Sequence, residues 1–237
     1  MLSLSCRMIG WCPSDRLWFV AGLFIGFILT VAAKTASARE AEHEVMPPLG
    51  KGVFLVASPN LTDPNFRQTV VLICEFGPEG TLGLILNRPT KVPLSEALPQ
   101  ITALKGTPHA LFAGGPVQPN GILMLFRVRQ EPSGARRVFE EVYLGGNVQT
   151  LERVLTRPEP TETFRAYAGY AGWAPGQLEF EMALGSWATI QADAGSIFEK
   201  ESVNLWPDML RTLSAPRVIH SRMVPGEQAV DAPPAAT

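Results

Sequence analysis

The stretch Gly169-Tyr-Ala-Gly-Trp-Ala-Pro-Gly-Gln-Leu-Glu-Phe-Glu181 crowds glycines, aromatics, a proline and two carboxylates together, and it limits the local architecture more than any other part of the chain. The apolar run from Phe164 to Tyr170 reads as a strand, and Pro175-Gly176 is a strong turn signal. After it, Leu178, Met182 and Ala183 recur at helical spacing, so a strand, a glycine-lined turn and a short helix follow in order. A strand is the competing reading of the last part, because Leu178, Phe180 and Met182 also alternate with Gln177, Glu179 and Glu181. Gly169 and Gly172 let one backbone approach another closely, and a helix starting after Gly176 would turn free amides toward an anion or a carbonyl. The same glycines could equally serve packing alone.

The N-terminal part is a membrane signal. Residues 17–33 carry no charged side chain and follow Arg7 and Arg16. At about 1.5 Å per residue the run spans roughly 25 Å as a helix, just short of a bilayer's hydrocarbon core. Ala36-Ser37-Ala38 has the small-x-small form that signal peptidase accepts, which places a cut before Arg39. Residues 1–38 are therefore expected to be a cleaved signal peptide or an uncleaved anchor. The arginines on the N-terminal flank favour export of the remainder, to the periplasm or to the outer face of a membrane. The alternative is a cytoplasmic protein whose translation starts at Met46.

Loss of residues 1–38 would remove Arg7, Arg16, Lys34 and Asp15 along with Cys6 and Cys12. It would leave 17 basic against 21 acidic residues, a net charge of −4, where the full chain has −2. That balance gives no reason to expect nucleic acid as a partner. Cys74 would then be the single thiol, so no intramolecular disulfide could form.

The rest divides into a linker at 39–49, one domain at 50–214 and a disordered tail at 215–237 rich in proline and alanine. Strands are predicted at 52–57, 68–76, 81–87, 110–113, 122–128, 138–144 and 187–191. Helices are predicted at 94–98, at 148–156 after an Asn147 cap, at 194–199 after an Asp193 cap, and at 204–213 with Pro207 in the first turn. Strands outnumber helices and do not alternate strictly with them, which argues for an α+β fold around a mixed, strongly bent sheet.

Few residues suggest chemistry. Of the three histidines, His43 and His220 fall in the linker and the tail. His109 reads as a surface residue beside a proline, so no nucleophilic triad can be assembled. No histidine or cysteine pair has metal-ligand spacing, and neither Gly114-Gly115-Pro116 nor Gly145-Gly146-Asn147 has the form of a phosphate loop. Neither a metal nor a cofactor is expected. Two features survive. Cys74 follows β-branched residues and precedes Glu75, which favours a buried thiol with a raised pKa over a reactive thiolate. Asn87-Arg88-Pro89 at a strand end offers an amide and a guanidinium on a fixed turn, able to hold a carboxylate or phosphate or simply to close a hairpin.

Several motifs in order give the chain a resemblance to the YqgE/AlgH family, an uncharacterised protein family. They are Asp63-Pro-Asn-Phe-Arg-Gln-Thr-Val70, Gly83-Leu-Ile-Leu-Asn-Arg-Pro89, Gly114-Gly-Pro-Val117, Gly169-Tyr-Ala-Gly-Trp173, Gly176-Gln-Leu-Glu179 with Glu181, and Trp187. The resemblance runs from Phe54 to Leu213. It implies a bifurcated β-sheet wrapped into a pseudo-barrel with flanking short helices. It implies no established enzymatic activity, with a link to transcriptional control of alginate production proposed for some members. Members commonly carry histidines where this chain has Phe76 and Phe126, so histidine-dependent chemistry does not transfer. Members are generally cytoplasmic, which makes residues 17–33 an addition that would, if it exports the domain, separate it from DNA.

The expectation is a non-enzymatic binding or regulatory domain for a protein or small-molecule ligand. Its groove would be bordered by Asn87, Arg88, Gly114, Gly115, Pro116, Gly169, Tyr170, Trp173, Gln177 and Glu179. The alternatives are a thiol redox protein using Cys74, and a hydrolase or transferase using Glu179 and Glu181. The last requires a strand at 177–183, because residues two apart share a face on a strand and not on a helix.

Overall fold

The computed structural model describes residues 46–215. The apolar run at 17–33, the cut before Arg39, Cys6, Cys12, His43, His220 and nearly all of the tail lie outside the described residues. Among those described, no helix is long and apolar enough to cross a membrane.

Ten strands form one curled sheet, with few and short helices around it. The strands are β1 (Val53–Ala57), β2 (Val70–Gly77), β3 (Gly80–Ile85), β4 (Pro89–Pro93), β5 (Ala110–Ala113), β6 (Val117–Arg127), β7 (Ala135–Phe139), β8 (Val142–Gly145), β9 (Thr163–Trp173) and β10 (Trp187–Gln191). The helices are α1 (Leu94–Ala97), α2 (Val148–Thr156), α3 (Gln177–Ala183), α4 (Ala194–Phe198) and α5 (Ser202–Ser214). The main path runs β10-β1-β2-β3-β9-β6-β8-β7, with β4 on β5 and β5 on β9. All pairings are antiparallel except β5 with β9.

Alternation along each strand divides the apolar residues between a concave and a convex face, as the two-residue period of a strand requires. Phe54, Val56, Val70, Leu72, Leu84 and Leu125 point inward, and α4 and α5 close that side with Ile197, Leu205 and Met209. Outward-facing Leu55, Val71, Ile73 and Ile85 meet Leu178 of α3. Phe126 and Phe164 lie under Leu151 and Val154 of α2 in a separate outer cluster.

The sheet forks along β9. Residues 166–168 pair in parallel with Leu111–Ala113 of β5, whereas residues 171–173 pair antiparallel with Thr81–Gly83 of β3. Between the branches stands Gly169, at φ 69°. Tyr167 faces the inner core, and so does Tyr170, three positions on. Residues separated by an odd number cannot share a face of a regular strand, so the inward-facing parity reverses at Gly169. On β6, the segment between Val117 and Ile122 bulges opposite this single residue.

Four details depart from the sequence expectations. The strand expected at 138–144 is the hairpin β7–β8, reversed at Glu140 with φ 38°, a left-handed turn made without glycine. β4 was not anticipated because it begins and ends in proline, which edge strands tolerate. β6 begins at Val117 rather than at 122. α5 begins at Ser202, which moves Pro207 into its second turn. The carbonyl that loses its donor there belongs to Val203, a residue 65% exposed, where water can replace the missing amide. Asn147 and Asp193 cap as expected, accepting from the amides of Thr150 at 2.9 Å and Ser196 at 2.7 Å. Residues 177–183 are helical.

Candidate functional site

Where β3 and β5 diverge, backbone hydrogen bonds hold the fork together. Gly114 donates to Ala168 O at 2.8 Å and accepts from Ile85 N at 2.9 Å, and Ala113 N donates to Arg88 O at 2.9 Å. The chain then passes so close to β9 that a Cβ on Gly115 would lie 2.2 Å from the Tyr170 carbonyl carbon. With φ at 153°, this position is also closed to side chains by conformation. Gly169 faces the Gly115 oxygen from the other side, where a Cβ would approach it to 2.5 Å. These glycines therefore let two backbones cross.

A cleft of about 190 Å3 opens at the crossing, lined by Asn65, Ile85, Arg88, Ala113, Gly115 and Pro116. An adjoining one of about 490 Å3 is lined by Arg67, Gln68, Asn87, Arg88, Val203, Trp206 and Pro207. Arg88 is common to both. Its Nη2 donates to Pro64 O at 3.1 Å and more weakly to Arg67 O at 3.4 Å. No carboxylate lies within ion-pair distance of it among the described residues. Burial and the neighbouring Arg67 cation lower its pKa, opposed by Asp63. Asn87, beside it, is fully engaged: Oδ1 accepts from Val70 N at 2.9 Å and Nδ2 donates to Gln68 O at 2.8 Å. Its amide fixes the 63–69 loop, and the charged groups that line the clefts are the guanidinium groups of Arg88 and Arg67.

The remaining residues expected at the groove lie elsewhere. Tyr170 and Trp173 line a separate shallow cleft of about 350 Å3 with Glu75, Glu79 and Thr81. Gln177 and Glu179 belong to α3 and line neither cleft. Gln177 Oε1 accepts from Ala174 N at 3.1 Å, closing the start of its own helix. Glu179 is exposed. Glu181, not expected as an organising residue, binds the indole N–H groups of Trp173 at 3.1 Å and Trp187 at 2.8 Å and the Gln177 amide at 3.0 Å. Phe66 stacks on Trp173 and meets Trp187 edge-on, each at 5.7 Å, completing the corner. With 177–183 helical, Glu179 and Glu181 do not face one another, and the paired-carboxylate reading fails.

Cys74 is 2% exposed. Burial raises its pKa strongly, and Glu75 adds to that while Arg136 opposes it. The thiol is therefore protonated at neutral pH, and nothing supports a redox role. Among the described residues, no group of three or more His, Cys, Asp or Glu side chains could hold a metal ion. His109 is not the surface residue expected; it is half-buried, its ring 4.6 Å from that of Phe164. Asn65, Arg67 and Trp206 are cleft residues that sequence reasoning missed. The turn signal of Asp63-Pro64-Asn65 marks the first two, through an Asn65 amide that donates to Asp63 Oδ1 at 2.7 Å.

The profile of a family described as AlgH-like matches residues 54–217. A "UPF0301 protein" of Chlorobium luteolum is 36% identical over 166 residues, 69% of this chain and 86% of that one. Another, from Streptomyces avermitilis, is 37% identical over 68% of this chain and 84% of its own length. The solution structure of the AlgH protein from Pseudomonas aeruginosa is similar with a TM-score of 0.57 and 28% identity, covering 73% of this chain and 97% of that one. The crystal structure of a Corynebacterium diphtheriae protein has a TM-score of 0.61 at 24% identity, over 71% of this chain and 89% of the other, a likeness of fold alone.

Proposed function

The chain belongs to the AlgH-like family, in which no specific molecular activity is established, and from that premise we propose a non-enzymatic binding and regulatory role centred on the sheet fork. The fork cleft takes an anionic group, a carboxylate or phosphate, of a small molecule or a partner protein. The observation that carries this reading is Arg88, a half-buried guanidinium shared by two adjoining clefts and lacking an acidic partner among the described residues. A partly desolvated guanidinium held by backbone carbonyls is preorganised for such an anion, and hydrogen bonds to charged groups contribute about 1.5–3 kcal/mol each. Arg67 adds a second positive charge at the mouth.

Thermal unfolding of the full-length chain in inorganic phosphate or acetate, at constant ionic strength, tests the site. The melting temperature of the wild type is expected to rise saturably, and that of Arg88→Gln to stay flat. An equal rise in both, or none in either, overturns the reading.

The site acts in the cell envelope, with residues 17–33 serving as export signal or membrane anchor. Intact-mass analysis of the native protein checks this. A chain starting at Arg39, or one retaining residues 17–33 in the membrane fraction, supports an envelope role. A start at Met46 in the cytoplasm removes it.

A further inference from the structure

A second cleft lies toward the start of β5, lined by Ala110 and Phe112 where the fork cleft is lined by Ala113. It encloses about 330 Å3, at the small end of the roughly 300–1,000 Å3 range of ligand pockets. Aromatic rings line part of it: Phe112, Phe164 and Phe198, with the His109 ring 4.6 Å from Phe164. Burial lowers the His109 pKa, so the imidazole is neutral at neutral pH and offers one donor and one acceptor.

Arg165 supplies the charge. Its guanidinium stacks over Phe112 at 4.9 Å, and its firmest polar contact is a 3.4 Å bond from Nη2 to Lys200 O. Its Nη1 is buried and turned to the Tyr167 hydroxyl, which is buried with it. Among the described residues, no carboxylate lines the cleft. Glu199, next to Lys200, is engaged by Arg127 at 2.8 Å. An anion entering therefore meets the Arg165 cation and no opposing charge among the lining residues.

We propose that this cleft is a binding site for a planar monocarboxylate, an aryl or α,β-unsaturated carboxylic acid. The carboxylate pairs with Arg165 and the flat body lies among Phe112, Phe164, Phe198 and His109. The aromatic rings select a planar group over a saturated one. One arginine matches a single negative charge, whereas a phosphate dianion calls for more donors than the lining supplies. The site is independent of the fork and shares no lining residue with it.

Benzoate is the probe, titrated into the full-length chain while backbone amide NMR shifts are followed. Saturable shifts are expected at 109–112 and 163–166, abolished in Arg165→Gln and retained in Arg88→Gln. Benzyl alcohol, with the same ring and no charge, should bind at least about tenfold more weakly, as loss of a charged hydrogen bond requires. Cyclohexanecarboxylate, charged but not planar, should also be weaker than benzoate. Equal binding of benzyl alcohol, persistence of the shifts in Arg165→Gln, or no saturable shift at these residues overturns the proposal. The comparison of the three probes on wild-type protein stands even if Arg165→Gln fails to fold. Shifts confined to 87–88 and 114–116 would place benzoate at the fork, which refutes this site while leaving the other intact.

Discussion

The two clefts both draw on the four-residue strand β5, and each presents an arginine without a carboxylate partner among the described residues, yet they are built in different ways. At the fork the backbone itself shapes the site: Gly115 crosses β9 with no room for a Cβ, and Arg88 is held by the carbonyls of Pro64 and Arg67. At the second cleft side chains shape the site, and Arg165 rests on an aromatic ring. A site made of backbone shares its determinants with the fold, whereas one made of side chains can be altered while the sheet stays intact. Mutations at the first should change stability and binding together; mutations at the second should separate them.

The sharpest way to break this contrast is Gly115→Val. A side chain there must displace the Tyr170 backbone and adopt a φ that valine avoids, so a loss above about 4 kcal/mol in urea unfolding, or no folded protein, is expected. A stable, native-like variant would show that the crossing is not structurally required. Asn87→Ala comes next. It leaves the Val70 amide and the Gln68 carbonyl without partners, with an expected loss of about 2 kcal/mol and a weakened phosphate response. If stability falls while the phosphate response is unchanged, the loop that Asn87 fixes does not shape the cleft.

The inner core can be read through Cys74. Its folded-state pKa is raised, so between the unfolded thiol pKa near 8.5 and the folded value only the unfolded state releases the proton. Stability is then full below about pH 8.5 and falls by about 1.4 kcal/mol per pH unit above it. Cys74→Ala should lack this slope between about pH 8.5 and 9, below the range in which buried Tyr167 adds one of its own, in urea midpoints measured across that range. An unchanged slope would mean that the thiol is already ionised in the folded protein. His109→Phe should have the smallest effect. The histidine's folded pKa is lowered, so its contribution is present above about pH 6.5 and lost as pH falls below that value. The variant should match wild type within about 1 kcal/mol at neutral pH and lose less stability on acidification. A large loss at neutral pH would give the second cleft the same coupling to the fold as the first.

Much of the fold was legible because its signals are local. The apolar run at 70–73, the caps at Asn147 and Asp193 and the turn at Pro175-Gly176 each act through neighbours in sequence. What escaped depends on distant chain. Glu140 reverses a hairpin without a turn residue, and β4 lies between prolines on partners supplied by β5. The candidate site was readable to the same degree. Arg88 and Gly114-Gly115-Pro116 do meet, because a strand end and a glycine loop tend to lie at a sheet's margin. The Asn87 amide looked free only because its partners, Val70 and Gln68, lie far back in the chain. Arg165 gave no signal at all: a lone arginine in an apolar strand becomes conspicuous only once Phe112 and Phe198 are seen around it.

The parity reversal at Gly169 bears on how such a chain can change length. In an ordinary loop, gaining or losing one residue is absorbed locally. Inside β9, one residue added or removed on either side of Gly169 would exchange inner and outer faces for that half of the strand, sending Tyr167 or Trp173 to the wrong core. The spacing from Phe164 to Trp173 therefore acts as a reading frame, and length variation should accumulate at the ends of β9 and in the bulge of β6 opposite Gly169.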